Sequence, residues 1–164
     1  LDALSGSRTS LTVANSMGGA TTNMNIAKLR EAKRLLDKGN VPPDGRNIII
    51  HANGLANLLS ETSVTSSDFN SVKALVQGEI NTYLGFTFHV LGDRSEGGLP
   101  IDGSLDRTCY AFHKDAVGYG EGIAMRTEIN YIAEKTSWLV NEVFSAGAIA
   151  IDDEGIVKIT CRET

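Results

Sequence analysis

The sequence predicts an α+β domain in which helices accompany several strands. Three patterns carry this prediction. Apolar residues recur at three- and four-residue intervals after Asn25, an isoleucine run follows a double-proline turn, and apolar and polar residues alternate from Phe86 to Val90. The first pattern is typical of a helix, and the other two are typical of strands. At 164 residues the chain is long enough to bury a substantial core.

Residues 1–23 are rich in Ser, Thr, Gly and Asn, and this composition predicts a loop-like stretch. No Lys-Ser or Lys-Thr follows the pair Gly18-Gly19, so a phosphate-binding loop is not indicated. The first helix is predicted at residues 25–38. Its apolar residues recur at helical spacing: Ile26, Leu29, Ala32, Leu35 and Leu36.

The remaining faces of this helix are expected to carry its charged residues, from Lys28 to Arg34. Gly39 is placed to adopt the left-handed conformation that ends many helices. Pro42 and Pro43 prevent the helix from continuing.

A strand and a short helix follow this turn. Asp44-Gly45 predicts a tight turn, and the apolar residues of 46–51 predict a buried strand. Asn53 can cap a helix near 52–60 that carries three leucines on one side. A further capping run at Ser66–Asp68 precedes an apolar segment: Val72, Leu75 and Val76.

The second half of the chain reads mainly as strands. Residues 92–107 are expected to form a long, glycine-containing loop between the strand ending near Val90 and a strand at 109–113. Three extended segments then follow: 123–131, 137–151 and 156–161. The acidic turn Asp152–Gly155 is expected to join the last two as a hairpin. Residues 138–144 fit a helix or a strand equally well.

Composition narrows the classes of function. The formal net charge of −5, with charges scattered along the chain, disfavours a protein that wraps a phosphate backbone. No apolar run approaches the roughly 18 residues of a membrane helix. Cys109 and Cys161 lack metal-site spacing, and two reduced thiols in core strands are favoured over one disulfide. The lack of an initiator Met predicts a fragment or a processed product.

The histidines and the acidic turn are the first candidates for chemistry. His51, His89 and His113 lie in or at the ends of predicted strands, but their spacing is not that of a zinc site. A hydrogen-bonded strand-end imidazole is the favoured interpretation. The run Asp152–Glu154 could bind a divalent cation, but it lacks the spacing of a calcium loop and reads as a turn.

The long loop and the glycine run are weaker candidates. Glu96, Asp102 and Asp106 are not paired as an acid and a base at a defined separation. Gly118–Gly122 lacks the strand, turn and helix of a dinucleotide site, and a hinge between two lobes is favoured. The sequence therefore predicts no catalytic residue, no cofactor site and no metal site.

Four stretches of the chain, in their order and spacing, carry a family resemblance: "LREAKRLLDKGNVPPDGR", "ANGLANLL", "VKALVQGEINTYLGFTF" and "CYAFHKDAVGYGEG". Over most of residues 20–164 the chain resembles the C-terminal part of a tailed-bacteriophage major capsid protein of the Hong Kong ninety-seven-type shell fold. The resemblance implies an axial lobe, with a mixed sheet flanked by helices, and a peripheral lobe of long antiparallel strands.

Lobe boundaries follow from the same resemblance. Residues 12–118 would form the axial lobe, with strands near 46–51, 86–91 and 108–113. Residues 119–164 would form the peripheral lobe, and residues 1–11 would be the remnant of the spine helix. The arm, the extended loop and most of the spine helix of the family would lie before Leu1.

The function implied is structural rather than enzymatic: a capsid subunit of a tailed phage or prophage that assembles into an icosahedral shell around DNA. Its implied partners are other copies of itself, scaffolding, portal and decoration proteins, and packaged DNA without sequence-specific contact, with no membrane. The implied location is the virion, and the host cytoplasm during assembly. By analogy, loop 92–107 would meet other copies at the capsomer centre, and residues 123–161 would meet them at three-fold-like junctions.

Two alternatives stay open at this point. A bacterial nanocompartment shell protein would use the same fold to enclose enzymes. A small α+β enzyme or ligand-binding domain would use loop 92–107 as a lid, and it predicts a deep pocket that holds His51, His89 or His113 beside a perturbed acid.

Overall fold

A computed structural model describes residues 11–60, 82–93 and 98–163, and it confirms the α+β prediction. Its helices are α1 (Ile26–Lys38) and α2 (Ala52–Ser60). Single 3₁₀ turns occupy Lys114–Ala116 and Ala133–Lys135. The strands are β1 (Leu11–Val13), β2 (Arg46–His51), β3 (Thr82–Tyr83), β4 (Phe86–Leu91), β5 (Asp106–His113), β6 (Val117–Ile132), β7 (Ser137–Ala150) and β8 (Ile156–Arg162).

Six of these strands form one mixed sheet in the order β1-β8-β5-β2-β4-β3. The β2–β4 and β1–β8 pairs are parallel, whereas β5 runs antiparallel to both of its neighbours. Helix α1 packs against β8 and β1, and α2 packs against β2 and β4. The predicted axial strands at 46–51, 86–91 and 108–113 do lie together in this sheet.

A large part of the core lies on one face of this sheet. Ala111 of β5 is paired with Ile48 on one side and with Val157 on the other. Paired residues point to the same side of a sheet, so these three side chains share one face. All of them are fully buried, as are Ile50 and Ile159.

Helix α1 begins and ends through local hydrogen bonds. Asn25 is the N-cap, and its side chain accepts a hydrogen bond of 2.8 Å from the backbone N–H of Lys28. At the other end the prediction for Gly39 was wrong, because its φ is −79° and Asn40 takes the left-handed conformation with φ 54°. A side chain at Gly39 would be crowded, since an added Cβ would lie 3.2 Å from Cβ of Glu154.

Lys28 is the main departure on this helix, because it was expected on an exposed face and is fully buried. Its ammonium group donates to the carbonyl oxygens of Thr22, at 2.5 Å, and of Thr160, at 2.9 Å. Burial lowers the pKa of Lys28, while the nearby Cys161, Cys109 and Asp106 oppose that shift. The side chain thereby ties the loop before α1 to strand β8.

The prediction of an alternating strand from Phe86 to Val90 is confirmed except at its end. Phe86 and Phe88 are buried as predicted, but Val90 is 47% exposed. Leu84 and Gly85 both have positive φ and form a two-residue turn between β3 and β4. Such a turn favours glycine at the second position.

Strands β6 and β7 form a separate two-stranded ribbon, which we call the ribbon (117–150). Residues 138–144, whose pattern fitted a helix or a strand, therefore belong to strand β7. The predicted hairpin across Asp152–Gly155 was wrong: β7 pairs with β6, whereas β8 pairs with β5 and β1. The inner side chains of β8, Val157 and Ile159, are fully buried under α1, a burial that the ribbon could not provide.

Some predictions concern residues outside the part of the chain that the structure describes. The capping run Ser66–Asp68 and the apolar segment that follows it lie outside the described residues, as do residues 1–10 and Glu96. Leu11, which was expected to end a helix remnant, begins strand β1 instead. This three-residue strand pairs with β8 and had no alternating pattern long enough to predict it.

Candidate functional site

His51 is buried beside two acids at the end of β2. Its Nδ1 is 3.2 Å from Oε1 of Glu163, and its Nε2 is 3.4 Å from Oδ1 of Asp93. Its Nδ1 also accepts from the backbone N–H of Asn53 at 3.3 Å, so the histidine caps α2 in place of the predicted Asn53. The interpretation of His51 as a hydrogen-bonded strand-end imidazole is confirmed.

Arg107 is the centre of an ion network that includes both acids. It is buried, and it donates to both carboxylate oxygens of Glu163 at 2.6 and 3.0 Å and to the carbonyl of Leu99 at 2.9 Å. Burial alone would raise the pKa of Glu163, but hydrogen bonds and charge from Arg107 outweigh it and lower that pKa. An ionised acid held by an arginine is a structural pair and not a proton donor poised for catalysis.

The other two histidines are also held by structural contacts. Nε2 of His113 donates to the carbonyl of Asp44 at 2.7 Å, and its Nδ1 accepts from the backbone of Asp115 at 3.2 Å. His113 borders an opening of about 180 Å³, but both of its ring nitrogens are already engaged there. His89 is exposed and lies 3.1 Å from the side-chain oxygen of Asn47.

Both cysteines are free and buried in neighbouring core strands, which confirms the prediction of reduced thiols. A hydrogen bond with Cys161, together with burial, raises the pKa of the Cys109 thiol well above its ordinary value. A buried thiol that resists ionisation is a poor nucleophile.

The described part of loop 92–107 is tied to the sheet. The side chain of Asp102 accepts from the backbone N–H groups of Ser104 and Asp106, which closes a turn. The carboxylate of Asp106 forms a two-point pair with Arg162 at 2.6 and 3.0 Å. These acids hold the loop in place and are not aimed at a common point.

Across 11–60, 82–93 and 98–163, no group of three or more His, Cys, Asp or Glu side chains is arranged to hold a metal ion. The acidic run Asp152–Glu154 is a turn, in which the Asp152 side chain accepts from the backbone of Glu154 at 3.0 Å. Within the same residues, neither helix is long and apolar enough to cross a membrane.

The surface that stands out is the ribbon, because its large apolar side chains face water. They include Tyr119, Ile123, Met125, Ile129, Tyr131, Trp138, Leu139, Val140, Phe144 and Ile149. Such a concentration of exposed apolar side chains marks an interaction surface rather than ordinary scatter.

Register divides the outer half of the ribbon into two faces. Ile129 is paired with Val140, and Tyr131 is paired with Trp138, so these four side chains share one face. All four are more than half exposed. The rings of Tyr131 and Trp138 touch, with centroids 5.1 Å apart. We call these four residues the aromatic tip.

The opposite face of the outer half is more polar. Arg126 and Glu128 form an ion pair of 3.2 Å there, and Asn130 and Asn141 lie on the same side by register. The ribbon is therefore amphipathic and has one face suited to burial. The resemblance implied contacts between copies at residues 123–161 but did not define this face, although the alternation of large apolar residues at 129 and 131 and at 138 and 140 was a usable signal.

The inner half of the ribbon contains the glycine run. Gly118–Gly122 was expected to be a hinge, but these residues belong to strand β6 and lie opposite residues 145–149 of β7. None of the three glycines in the run has the left-handed φ that would call for glycine. At Gly118 an added Cβ would lie 2.9 Å from Cδ1 of Ile151, and Gly122 lies at a register shift between the two strands.

A packed sheet that carries an uncovered amphipathic ribbon is typical of a protein that buries this surface against another segment or another molecule. The chain belongs to the phage capsid protein family, whose model matches residues 2–163. No curated protein matches the sequence.

Solved structures agree with this family in fold. A chain from Mycobacterium phage Che8 is similar with a TM-score of 0.68 and 19% identity, over 93% of this chain and 53% of that one. The capsid of Ralstonia phage GP4 is similar with a TM-score of 0.61 and 12% identity, over 97% of this chain and 53% of that one. The holo-SrpI encapsulin complex from Synechococcus elongatus PCC 7942 is similar with a TM-score of 0.51 and 11% identity, over 91% of this chain and 51% of that one.

These likenesses establish the capsid-type fold, a mixed sheet with few helices. The chain spans about half the length of each of the three solved chains.

Proposed function

We propose that this chain is part of the major capsid subunit of a tailed bacteriophage or prophage, which assembles with copies of itself into an icosahedral shell around DNA. One observation carries the proposal: a member of the phage capsid family leaves a long apolar ribbon open to water. Other subunits of a shell would cover that surface. A shell subunit needs repeated contact surfaces and needs no nucleophile or cofactor.

We propose that the two sheets are the two lobes of this subunit. The axial lobe would contain most of residues 12–118 together with β8, because β8 lies inside the six-stranded sheet. The peripheral lobe would be the ribbon, which replaces the earlier expectation of residues 119–164. Loop 92–107 would meet other copies at the capsomer centre, and the ribbon would meet them at three-fold-like junctions.

The proposed partners follow from a shell. They are other copies of the chain, scaffolding, portal and decoration proteins, and DNA held without sequence-specific contacts. The net charge of −5 supports weak, non-adhesive contact with DNA. The protein would act in the virion, after assembly in the host cytoplasm, and it would have no catalytic activity and no membrane partner.

A nanocompartment shell is the second candidate function, and the likeness to the encapsulin complex favours it. That likeness has a TM-score of 0.51, below the 0.68 and 0.61 of the two phage chains. The neighbouring genes separate the two readings: terminase and portal genes indicate a phage, and a gene for a cargo enzyme indicates a compartment.

Negative-stain electron microscopy of the complete gene product, with its mass measured by light scattering, tests the proposal. We expect closed particles or capsomer rings. A protein that stays monomeric at high concentration would count against a shell. It would return attention to the enzyme alternative, for which the engaged histidines offer little support.

A variant with a shortened ribbon tests the ribbon separately from the rest of the subunit. Replacing residues 121–146 by an Asn-Gly turn shortens the ribbon, and it leaves the six-stranded sheet unchanged. We expect this variant to fold and to form no shells. Shells of normal size from the shortened chain would show that the ribbon is not a shell contact.

A further inference from the structure

His51 has one ring nitrogen that contacts two groups with opposite requirements. Its Nδ1 accepts a hydrogen bond of 3.3 Å from the backbone N–H of Asn53, and it lies 3.2 Å from Oε1 of Glu163. The N–H can donate only to a nitrogen with a free lone pair, whereas the carboxylate can accept only from a nitrogen that carries a proton. No single protonation state of the imidazole satisfies both neighbours.

The other ring nitrogen contacts a second acid. Nε2 lies 3.4 Å from Oδ1 of Asp93. A neutral ring with its proton on Nε2 donates to Asp93 and accepts from Asn53, but its Nδ1 lone pair then faces the carboxylate of Glu163. A charged ring carries a proton on both nitrogens and donates to both acids. One added proton therefore exchanges the cap of α2 for a second ion pair.

The ring is buried among charged groups from neighbouring segments. Arg107 of β5 pairs with Glu163 at 2.6 Å and with Asp93 at 2.8 Å, so its charge opposes a second cation while the two acids favour one. Cys109, also on β5, is bonded to the backbone of His51. This thiol stays uncharged, because a hydrogen bond with the neighbouring thiol, together with burial, raises its pKa well above the ordinary value.

These contacts join the two ends of loop 92–107 to the segment after β8. Asp93 follows β4 at the start of the loop, and Arg107 lies in β5 at its end. Glu163 follows β8, and its backbone N–H donates to the carbonyl of Leu105 at 2.9 Å. A ring that binds both acids therefore fixes the ends of this loop, and it withdraws the cap from α2.

We propose that His51 is a pH-dependent switch between helix α2 and the ends of loop 92–107. A histidine changes its charge between about pH 5 and 8. At the upper end of this range the neutral ring caps α2 through the N–H of Asn53. At the lower end the charged ring releases that N–H and pairs with Glu163 and Asp93. The switch lies within one subunit, so it does not depend on the proposed shell.

Hydrogen exchange of the complete gene product tests the switch, because two backbone amides should respond in opposite directions. Exchange is followed from about pH 5 to 8 by mass spectrometry with fragmentation to single residues. Each rate is divided by that of an unstructured peptide at the same pH. As the pH falls, the protection of the Asn53 amide should drop about two- to tenfold, the range for one hydrogen bond. The protection of the Glu163 amide should rise.

His51→Asn is the first variant, because an asparagine oxygen can accept from an N–H at the start of a helix but cannot take up a proton. Both amides should then lose their dependence on pH. His89→Asn is the matched control, since His89 is exposed and its ring lies 3.1 Å from the side-chain oxygen of Asn47. This control should behave as the wild type does.

Asp93→Asn is a second variant that tests the charge without disturbing the core, because the Asp93 side chain is 66% exposed. Removing this negative charge disfavours the charged ring. The change in Asn53 protection should therefore occur at a lower pH than in the wild type.

Three results would overturn the switch. They are an Asn53 protection that does not change with pH in the wild type, an unchanged response in His51→Asn, and a midpoint that does not move in Asp93→Asn. None of them bears on shell formation, which electron microscopy of the same preparations reports separately.

Discussion

The six-stranded sheet and the ribbon contain similar residues, but the sheet buries its apolar side chains and the ribbon leaves them exposed. Both contain strands rich in Ile, Val and aromatic residues. In the sheet Ile156, Val157 and Ile159 of β8 are fully buried, whereas most large apolar residues of the ribbon face water. An apolar strand therefore does not by itself determine what will bury its side chains, whether a helix of the same chain or another molecule. The sheet is covered by its own helices, and we propose that other copies cover the ribbon.

The charged residues of the two regions also differ in burial. In the sheet the charged groups that are buried each have named partners, as Lys28 has two carbonyls and Arg107 has Glu163. On the ribbon the ion pair of Arg126 and Glu128 is exposed to solvent. Exposed pairs of this kind contribute about 0–1 kcal/mol, so the ribbon gains little stability from its charges.

The largest expected effect tests this comparison directly with two isoleucines. Ile159 is fully buried in the sheet, and Ile129 is 62% exposed on the ribbon. Ile159→Ala should lower the free energy of unfolding by about 2–5 kcal/mol, because it opens a cavity in the core. Ile129→Ala should change it by no more than ~0.5 kcal/mol. Urea unfolding of the unassembled protein measures both.

Shell yield should reverse that order for the two variants. Ile129→Ala should assemble poorly despite its normal stability, since it removes part of the aromatic tip. Equal stability losses in both variants would mean that the ribbon is buried in the free subunit, and the comparison would fail.

A smaller effect is expected at the ion network that closes the sheet. Glu163→Gln leaves Arg107 buried without its two-point partner, although Leu99 and Asp93 remain as acceptors at 2.9 and 2.8 Å. We expect a loss of about 2–3 kcal/mol, less than for a fully isolated buried pair. Urea unfolding at pH 7 measures it, with Glu128→Gln on the ribbon as the exposed control.

The pH dependence of this network has a definite sign. The folded-state pKa of Glu163 is lowered below its ordinary value of 4.5. Its contribution is therefore present above pH 4.5, and it is lost as the pH falls through the lower folded value. The wild type should lose more stability than Glu163→Gln in that acidic range. Parallel losses in the two proteins would show that Glu163 does not carry this effect.

The predictions from the sequence succeeded where the signal was local. The spacing of apolar residues located α1, and the isoleucine run located β2, because both patterns depend only on neighbours in the chain. Lys28 was misplaced because its acceptors, Thr22 and Thr160, come together only in the folded sheet. The partner of β8 was missed for the same reason, since an apolar strand does not state which strand it will join.

The candidate site shows the same limit. The glycine run at 118–122 was visible, but a glycine inside a strand looks the same in sequence as one at a hinge. Only the pairing of Gly120 with Gly147 shows that the run lies within the ribbon. The resemblance of the sequence to a capsid family pointed to contacts between copies but did not define the apolar face of the ribbon.

The smallest expected effect is spectroscopic and reports on the ribbon alone. Trp138 is the single tryptophan of these 164 residues, and it is 68% exposed. Its fluorescence emission should move to shorter wavelength when shells form, because assembly would transfer the indole from water to an apolar contact. Subtracting the spectrum of Trp138→Phe isolates this signal in the complete protein, and a second spectrum in dissociating conditions checks that the shift reverses. An unchanged emission in closed shells would mean that the ribbon stays open to water after assembly, and the contrast between the two regions would then need another cause.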